Sequence, residues 1–419
     1  MSTLPGLLPK SETAETPPAD PNAYRKLALW HRGEIVNYHP DQSDFFSKTF
    51  LQDFVLKGWM PDKPVVTRGT KITAFGSCFA AHITAHLHGL GFDLSKARDP
   101  DIYISQLGDG MVSTASILGQ FEWALENKKQ AEDLWHGYKA EGYGYDESIR
   151  ARTRDVFLAT EFFIITLGLS EVWYDERTGG TFWRAVPEAA FDPSRHKFKV
   201  MTVEQTKADI ARIHALIREH VPKAKVLFTL SPIPLAATFR PVSCLSANSV
   251  SKAIIRAALD EFLRANEAEL NTRLFYFPSM EIVQHAFFDP MGLDGRHPAS
   301  YVLDTVMKTF EATYCESDAT LEQVNDMLQM FRVANIEEIA KRRPSNSDKR
   351  KLMLAARAAK MAGMTARNQA KARNARLNRV EAEAAPDETS DDRERRKAER
   401  KAERQRLRQE QRRTGDVTQ

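Results

Sequence analysis

Four short apolar runs constrain the fold of this 419-residue chain more than any other feature. They cover residues 71–75, 162–167 (Phe-Phe-Ile-Ile-Thr-Leu), 225–230 and 275–278 (Phe-Tyr-Phe-Pro). Each is strand-sized, and its apolar residues run on with little alternation, as in strands buried on both faces. Between them lie helical stretches at 79–90, 113–127, 202–220 and 246–266, with a last one at 301–314. The 202–220 stretch carries Ile210, Ile213, Leu216 and Ile217 at helical spacing, with Thr202 as N-cap and Pro222 beyond its end. Strands alternating with helices argue for a parallel sheet covered on both faces. The expected fold class is therefore α/β, a three-layer α/β/α sandwich with a mostly parallel sheet and a charged C-terminal extension.

In such a sheet the carboxyl ends of the strands gather along one edge, where ligands bind. Polar residues follow the runs at Ser77, Ser170 and Ser231 and after Pro278, so that edge is the expected site. Two segments between the runs read differently. Residues 133–152, with Trp135, His136, Tyr138, Tyr143 and Tyr145 among glycines, read as a long loop that either lines a cleft or packs as ordinary surface. Residues 173–186 read as an irregular hairpin turning at Gly179-Gly180.

The ends differ from the middle. Residues 1–21, rich in Pro, Thr, Glu and Ala, read as a disordered leader without the apolar core of a signal peptide. Residues 22–316 form the expected domain, including an N-terminal arm anchored by aromatics such as Tyr24, Trp30, Phe45, Phe50 and Trp59. Residues 317–340 read as a helical linker and 341–419 as a basic low-complexity tail. The net charge of +3 conceals this division: from Lys341 onward there are 24 Lys/Arg against 12 Asp/Glu, and before it 35 against 44. A tail without an apolar face is expected to be disordered or a single solvated helix. It suits a polyanion partner (RNA, anionic membrane or acidic polysaccharide) or serves solubility alone. No apolar run approaches the ~20 residues that span a bilayer. Cys78, Cys244 and Cys315 are too few and too scattered for a disulfide framework or zinc site, so the expected location is cytoplasmic.

Several residue patterns can carry chemistry. At 75–80, Phe-Gly-Ser-Cys-Phe-Ala, a strand reaches a glycine bend and then a helix. Ser77 or Cys78 would sit at the strand end beside the helix's unpaired N–H groups, unless the turn is plain packing with Cys78 as a small buried residue. In Asp294-Gly295-Arg296-His297 a carboxylate precedes a histidine by three residues and can fix its tautomer for general base work. A surface aspartate and a capping histidine fit the same spacing. The turn at Gly168-Leu169-Ser170-Glu171 can offer a hydroxyl and N–H groups to an oxyanion, as can the backbone at Gly108 and Gly110. His82 and His86 have i, i+4 metal-binding spacing but lack an evident third ligand, and a helix flank explains them more simply. There is no P-loop, no G-x-G-x-x-G and no zinc-finger spacing, and no cofactor is expected.

The 75–80 motif resembles the naming motif of the GSCFA domain family, which is similar to the SGNH/GDSL hydrolase superfamily. The resemblance continues through Asn22-Ala23-Tyr24-Arg25, Gly168-Leu169-Ser170-Glu171-Val172-Trp173, Leu230-Ser231-Pro232-Ile233-Pro234-Leu235, Ser251-Lys252-Ala253, Tyr276-Phe277-Pro278-Ser279 and Asp294-Gly295-Arg296-His297. It spans residues 22 to about 314. With the glycines matched, it implies Cys78 in the nucleophile position and Ser77 in that of the superfamily's aspartate. It also implies Gly110 as an oxyanion glycine, Ser170 where the superfamily has an asparagine, and Asp294 and His297 as the D-x-x-H pair. The implied activity is acyl transfer from an ester or thioester donor, through acyl-Cys78, to water (an esterase) or to a glycan hydroxyl (an O-acyltransferase of polysaccharide modification). The alternative is a non-catalytic carbohydrate-binding or scaffold protein on the same fold.

Overall fold

A computed structural model describes residues 35–41, 43–106, 110–129, 144–183 and 185–341, with isolated positions between 351 and 375. The chain divides into two units, 1–343 and 344–419. Of the second, residues 351, 353–358, 360–361 and 375 are described, all helical. The expected leader, the start of the arm and most of the basic tail lie outside the described residues.

In chain order the first unit carries β1 (Ile72–Gly76), α1 (Cys78–Gly89), α2 (Ser95–Arg98), α3 (Tyr103–Gln106), α4 (Thr114–Glu126), α5 (Glu147–Ala159), β2 (Phe162–Leu167), β3 (Glu171–Asp175), β4 (His196–Val200), α6 (Val203–His220), β5 (Lys225–Leu230), α7 (Cys244–Ala265), β6 (Leu274–Phe277), α8 (Ser279–His285), α9 (Ser300–Tyr314) and α10 (Leu321–Lys341). The four apolar runs form one parallel sheet, ordered β1-β2-β5-β6. Its ladder ends with Gly76 opposite Thr166 and Leu167 opposite Leu230. On the outer side of β1 a single parallel bridge joins Ile72 to Leu94.

Every residue of β2 is buried. Phe163, Ile165 and Leu167 face a core shared with α4, α5, α6 and α7. Phe162 and Ile164 face a second core with α1, α9, α10 and most of α8. Two apolar cores, one on each side of a single sheet, make the α/β sandwich expected from the sequence. Fully burying a side chain of this size stabilises by roughly 1.5–3 kcal/mol, which favours unbroken apolar strands over alternating ones.

The structure departs from the sequence reading in three segments. The loop expected over 133–152 ends early: Asp146 caps α5, accepting from the backbone N–H of Ser148 and Ile149. Trp135, His136, Tyr138 and Tyr143 lie outside the described residues. The irregular hairpin at Gly179-Gly180 forms, with an antiparallel Tyr174–Thr181 bridge between the Asp175 N–H to Gly180 O and Phe182 N–H to Trp173 O bonds, but β3 makes its main ladder with β4, paired antiparallel, a strand absent from the sequence reading. The alternation His-Lys-Phe-Lys-Val in β4 is the period-2 pattern of a half-exposed strand. Within 317–340 the helix α10 begins at Leu321, and it packs into the domain rather than linking out of it. It buries Val324, Leu328 and even Arg332, which is 1% exposed. Arg332 Nε donates to Ala286 O at 2.7 Å, Nη1 donates to Phe45 O, and the guanidinium lies 4.1 Å from the Phe50 ring centroid.

Candidate active site

The site begins where β1 stops. Gly76 has φ +134°, and a Cβ there would lie 2.1 Å from Thr166 O and within 3 Å of two more backbone atoms of Thr166. Only glycine permits this approach of the turn to β2. Ser77 follows as the N-cap of α1: its Oγ accepts from Phe79 N at 3.2 Å and its own N–H donates to Thr166 O at 3.2 Å. Gly110 lies across from Ser77 in an isolated antiparallel bridge, so the expected oxyanion glycine does reach this turn. Gly108 lies outside the described residues. Of the two nucleophile candidates, Ser77 is buried and engaged as a cap. Cys78 is half-buried at the first position of α1, where the helix's partial positive charge favours a thiolate.

The D-x-x-H segment folds into a tight turn around Gly295, whose φ is +67°. Asp294 Oδ1 accepts from the backbone N–H of Arg296 (3.0 Å) and His297 (2.9 Å), and Oδ2 lies 2.5 Å from His297 Nδ1. The His297 bond and these two N–H groups hold the Asp294 carboxyl well below the usual carboxylate range. With Nδ1–H donating to Asp294, Nε2 is the lone-pair nitrogen, and Arg296 Nη1 lies 3.3 Å from it as a donor. Arg296 Nε also donates to Pro234 O at 3.2 Å, tying this turn to the loop after β5. The ring of His82, four residues along α1 from Cys78, keeps an exposed surface. Partial burial, and then the charge of His297, lower its pKa. The 294–297 turn thus lies within electrostatic reach of His82.

Ser170 occupies the same edge but is already engaged. Its backbone N–H donates to Ser251 Oγ at 2.8 Å and its hydroxyl to the same oxygen at 3.2 Å. The next residue on α7, Lys252, is 7% exposed, and its Nζ donates to Gly168 O and Ser231 O, both at 2.7 Å. Burial pushes the Lys252 amine down to about 7, the Cys78 thiol opposing that shift and Arg296 adding to it. The sequence reading gave Lys252 no role, because a lysine within a helix normally marks a solvated face. The signal that could have found it is its position beside Ser251 in one of the stretches that carry the resemblance described above.

His86 Nε2 is engaged by Glu311 Oε2 at 2.9 Å. Among the described residues, ligand-bearing groups close enough to share an ion occur at Glu126, Glu219 and His220, away from the sheet edge and mostly exposed.

The fold and this edge define an α/β sandwich with a cysteine at a helix start, a histidine–carboxylate pair on a turn tied to the loop after β5, and a buried lysine between strand ends. A model of the GSCFA family matches residues 71–310, more than half of the chain, and the chain belongs to that family. No curated protein matches it. No helix among the described residues is long and apolar enough to cross a membrane.

Proposed function

We propose that this chain is an acyl-transfer enzyme of SGNH type with Cys78 as nucleophile. The observation that carries the proposal is the Asp294–His297 pair: Nδ1 lies 2.5 Å from the carboxylate, and a proton held there leaves Nε2 as the base. In the proposed reaction His297 Nε2 takes the Cys78 proton and Sγ attacks the acyl carbonyl of an ester or thioester. The leaving alkoxide or thiolate departs with the proton from His297. Water or a glycan hydroxyl, deprotonated by His297, then releases the acyl group from Sγ. Asp294 stabilises the imidazolium in both halves. Because both Ser170 donors go to Ser251, the oxyanion falls to backbone N–H groups at Gly110 and the start of α1. Arg296 must leave Nε2 when substrate arrives.

The test is turnover of acyl esters and acyl thioesters by Cys78→Ala and His297→Ala. Each is expected to lose a factor of roughly 10²–10⁴, with an acyl adduct on Cys78 visible by intact mass in the unaltered protein. Turnover untouched by either change defeats the proposal. Iodoacetamide is expected to label Cys78 ahead of Cys315, whose thiol is pushed up to about 12, chiefly by burial. The engagement of Ser170 by Ser251 favours a second reading, a non-catalytic carbohydrate-binding or scaffold protein, which predicts glycan binding without turnover. The basic tail supports an added polyanion partner, and binding that persists unchanged at high salt rules that out. Cytoplasmic residence belongs to the same reading.

A further inference from the structure

The parallel ladder between β2 and β5 closes at Leu167 and Leu230. Gly168 and Ser231 are the next residues on each strand, and their carbonyls are the ones that Lys252 Nζ bridges. On the neighbouring strand Gly76 pairs with Thr166, and the Ser77 N–H donates to Thr166 O, so the turn that leads into Cys78 is tied to β2 two residues before Gly168. Adjacent strands run about 4.8 Å apart. Cys78 therefore opens α1 at the same sheet edge as the Gly168 and Ser231 carbonyls on which Lys252 is anchored. Ser251 grips Ser170 from the preceding position of the same helix, so this dipeptide fixes the whole 168–170 turn.

We propose that Lys252 is a positioning residue for Cys78: anchored on the Gly168 and Ser231 carbonyls, its ammonium is the buried positive charge that holds the Cys78 thiolate at this edge. The inference deepens the acyl-transfer reading, since it concerns the same cysteine, but its test needs no substrate. Among the described residues, the charged groups acting on Lys252 are Cys78 on α1 and Arg296 on the 294–297 turn. The thiolate stabilises the ammonium and the guanidinium opposes it. By linkage the ammonium must stabilise the thiolate equally.

The experiment is the pH profile of Cys78 alkylation by iodoacetamide, read by peptide mass on the full chain. The expected midpoint lies below the ordinary thiol value of ~8.5. Lys252→Met is expected to raise it by about one unit, a roughly tenfold loss of thiolate at pH 7. Lys252→Arg, which keeps the charge, is expected to stay near the unaltered profile. A folded Lys252→Met protein with an unchanged midpoint overturns the proposal. If Lys252→Met does not fold, the reciprocal measurement decides: ¹⁵N-lysine NMR should show the Lys252 pKa falling in Cys78→Ala, and an unchanged value overturns the proposal. A shifted alkylation profile together with absent acyl turnover upholds the Lys252–Cys78 pairing while defeating the acyl-transfer reading.

Discussion

Replacing Gly76 with alanine tests how the candidate nucleophile is held. An alanine at φ +134° bears backbone strain of ~1–3 kcal/mol. Its Cβ would meet Thr166 O at 2.1 Å and Thr166 C and N at 2.8 and 2.9 Å, all backbone atoms of the neighbouring strand. No side chain can swing away, so relief requires β1 to move off β2 and stretches the Ser77 N–H to Thr166 O bond. Overpacking of this kind costs a further ~1–3 kcal/mol or more. The expected total is ~3–5 kcal/mol, a large part of the ~5–15 kcal/mol that holds a typical domain together. Urea unfolding measures it directly, with Gly69→Ala as control. A Cβ at Gly69 meets nothing within 4 Å and its φ is not positive, so its change is expected to stay within ~0.5 kcal/mol. Should Gly76→Ala unfold at the same urea concentration as Gly69→Ala, the reasoning about this turn is refuted.

Two further predictions follow from buried charges. Asp209 is raised to about 6, first by burial and further by Glu122, against the pull of its hydrogen bond from Thr114. Its folded pKa exceeds the unfolded ~3.9, so its ionisation costs stability that is absent below about pH 4 and complete above about pH 6. Asp209→Asn keeps an acceptor for Thr114 Oγ1, now 2.8 Å from the carboxylate. It is expected to stabilise the protein by ~1–3 kcal/mol at pH 7 and by nothing measurable at pH 4 in thermal melts. Arg332→Ala leaves two carbonyls, Ala286 O and Phe45 O, without their donor. It is expected to destabilise by ~2–4 kcal/mol in the same melts, and a smaller loss than 1 kcal/mol would show that water replaces the guanidinium.

How much was legible in the sequence follows from where each signal resides. Strands buried on both faces announce themselves as apolar runs, and all four formed the parallel sheet. The Asp294–His297 contact was also legible, because three residues around a glycine fix it locally. By contrast, β4 is half-exposed and alternates charge with apolar residues, so it hid among polar sequence. The α5 helix, with three buried residues, offered too thin an apolar face beside its tyrosine-rich neighbours. Arg332 and Lys252 were illegible for a shared reason: only tertiary packing brings the carbonyls that make a buried cation tolerable. Ser170 was assigned by its order along the chain, which carries no information about Ser251, 81 residues later, engaging both of its donors.

The contacts of α10 also govern when the domain can be completed. Leu51 N donates to Asn325 Oδ1, and Gln329 Nε2 donates to Phe46 O and Ser47 O, joining segments more than 270 residues apart. Closing so long a loop is entropically costly and kinetically slow. During synthesis the aromatic segment around Phe45, Phe50 and Phe54 emerges early, yet it lacks its clasp until α10 has left the ribosome. For that interval the nascent chain carries uncovered rings that chaperones or proteases can seize, and truncation before Leu321 would make the interval permanent.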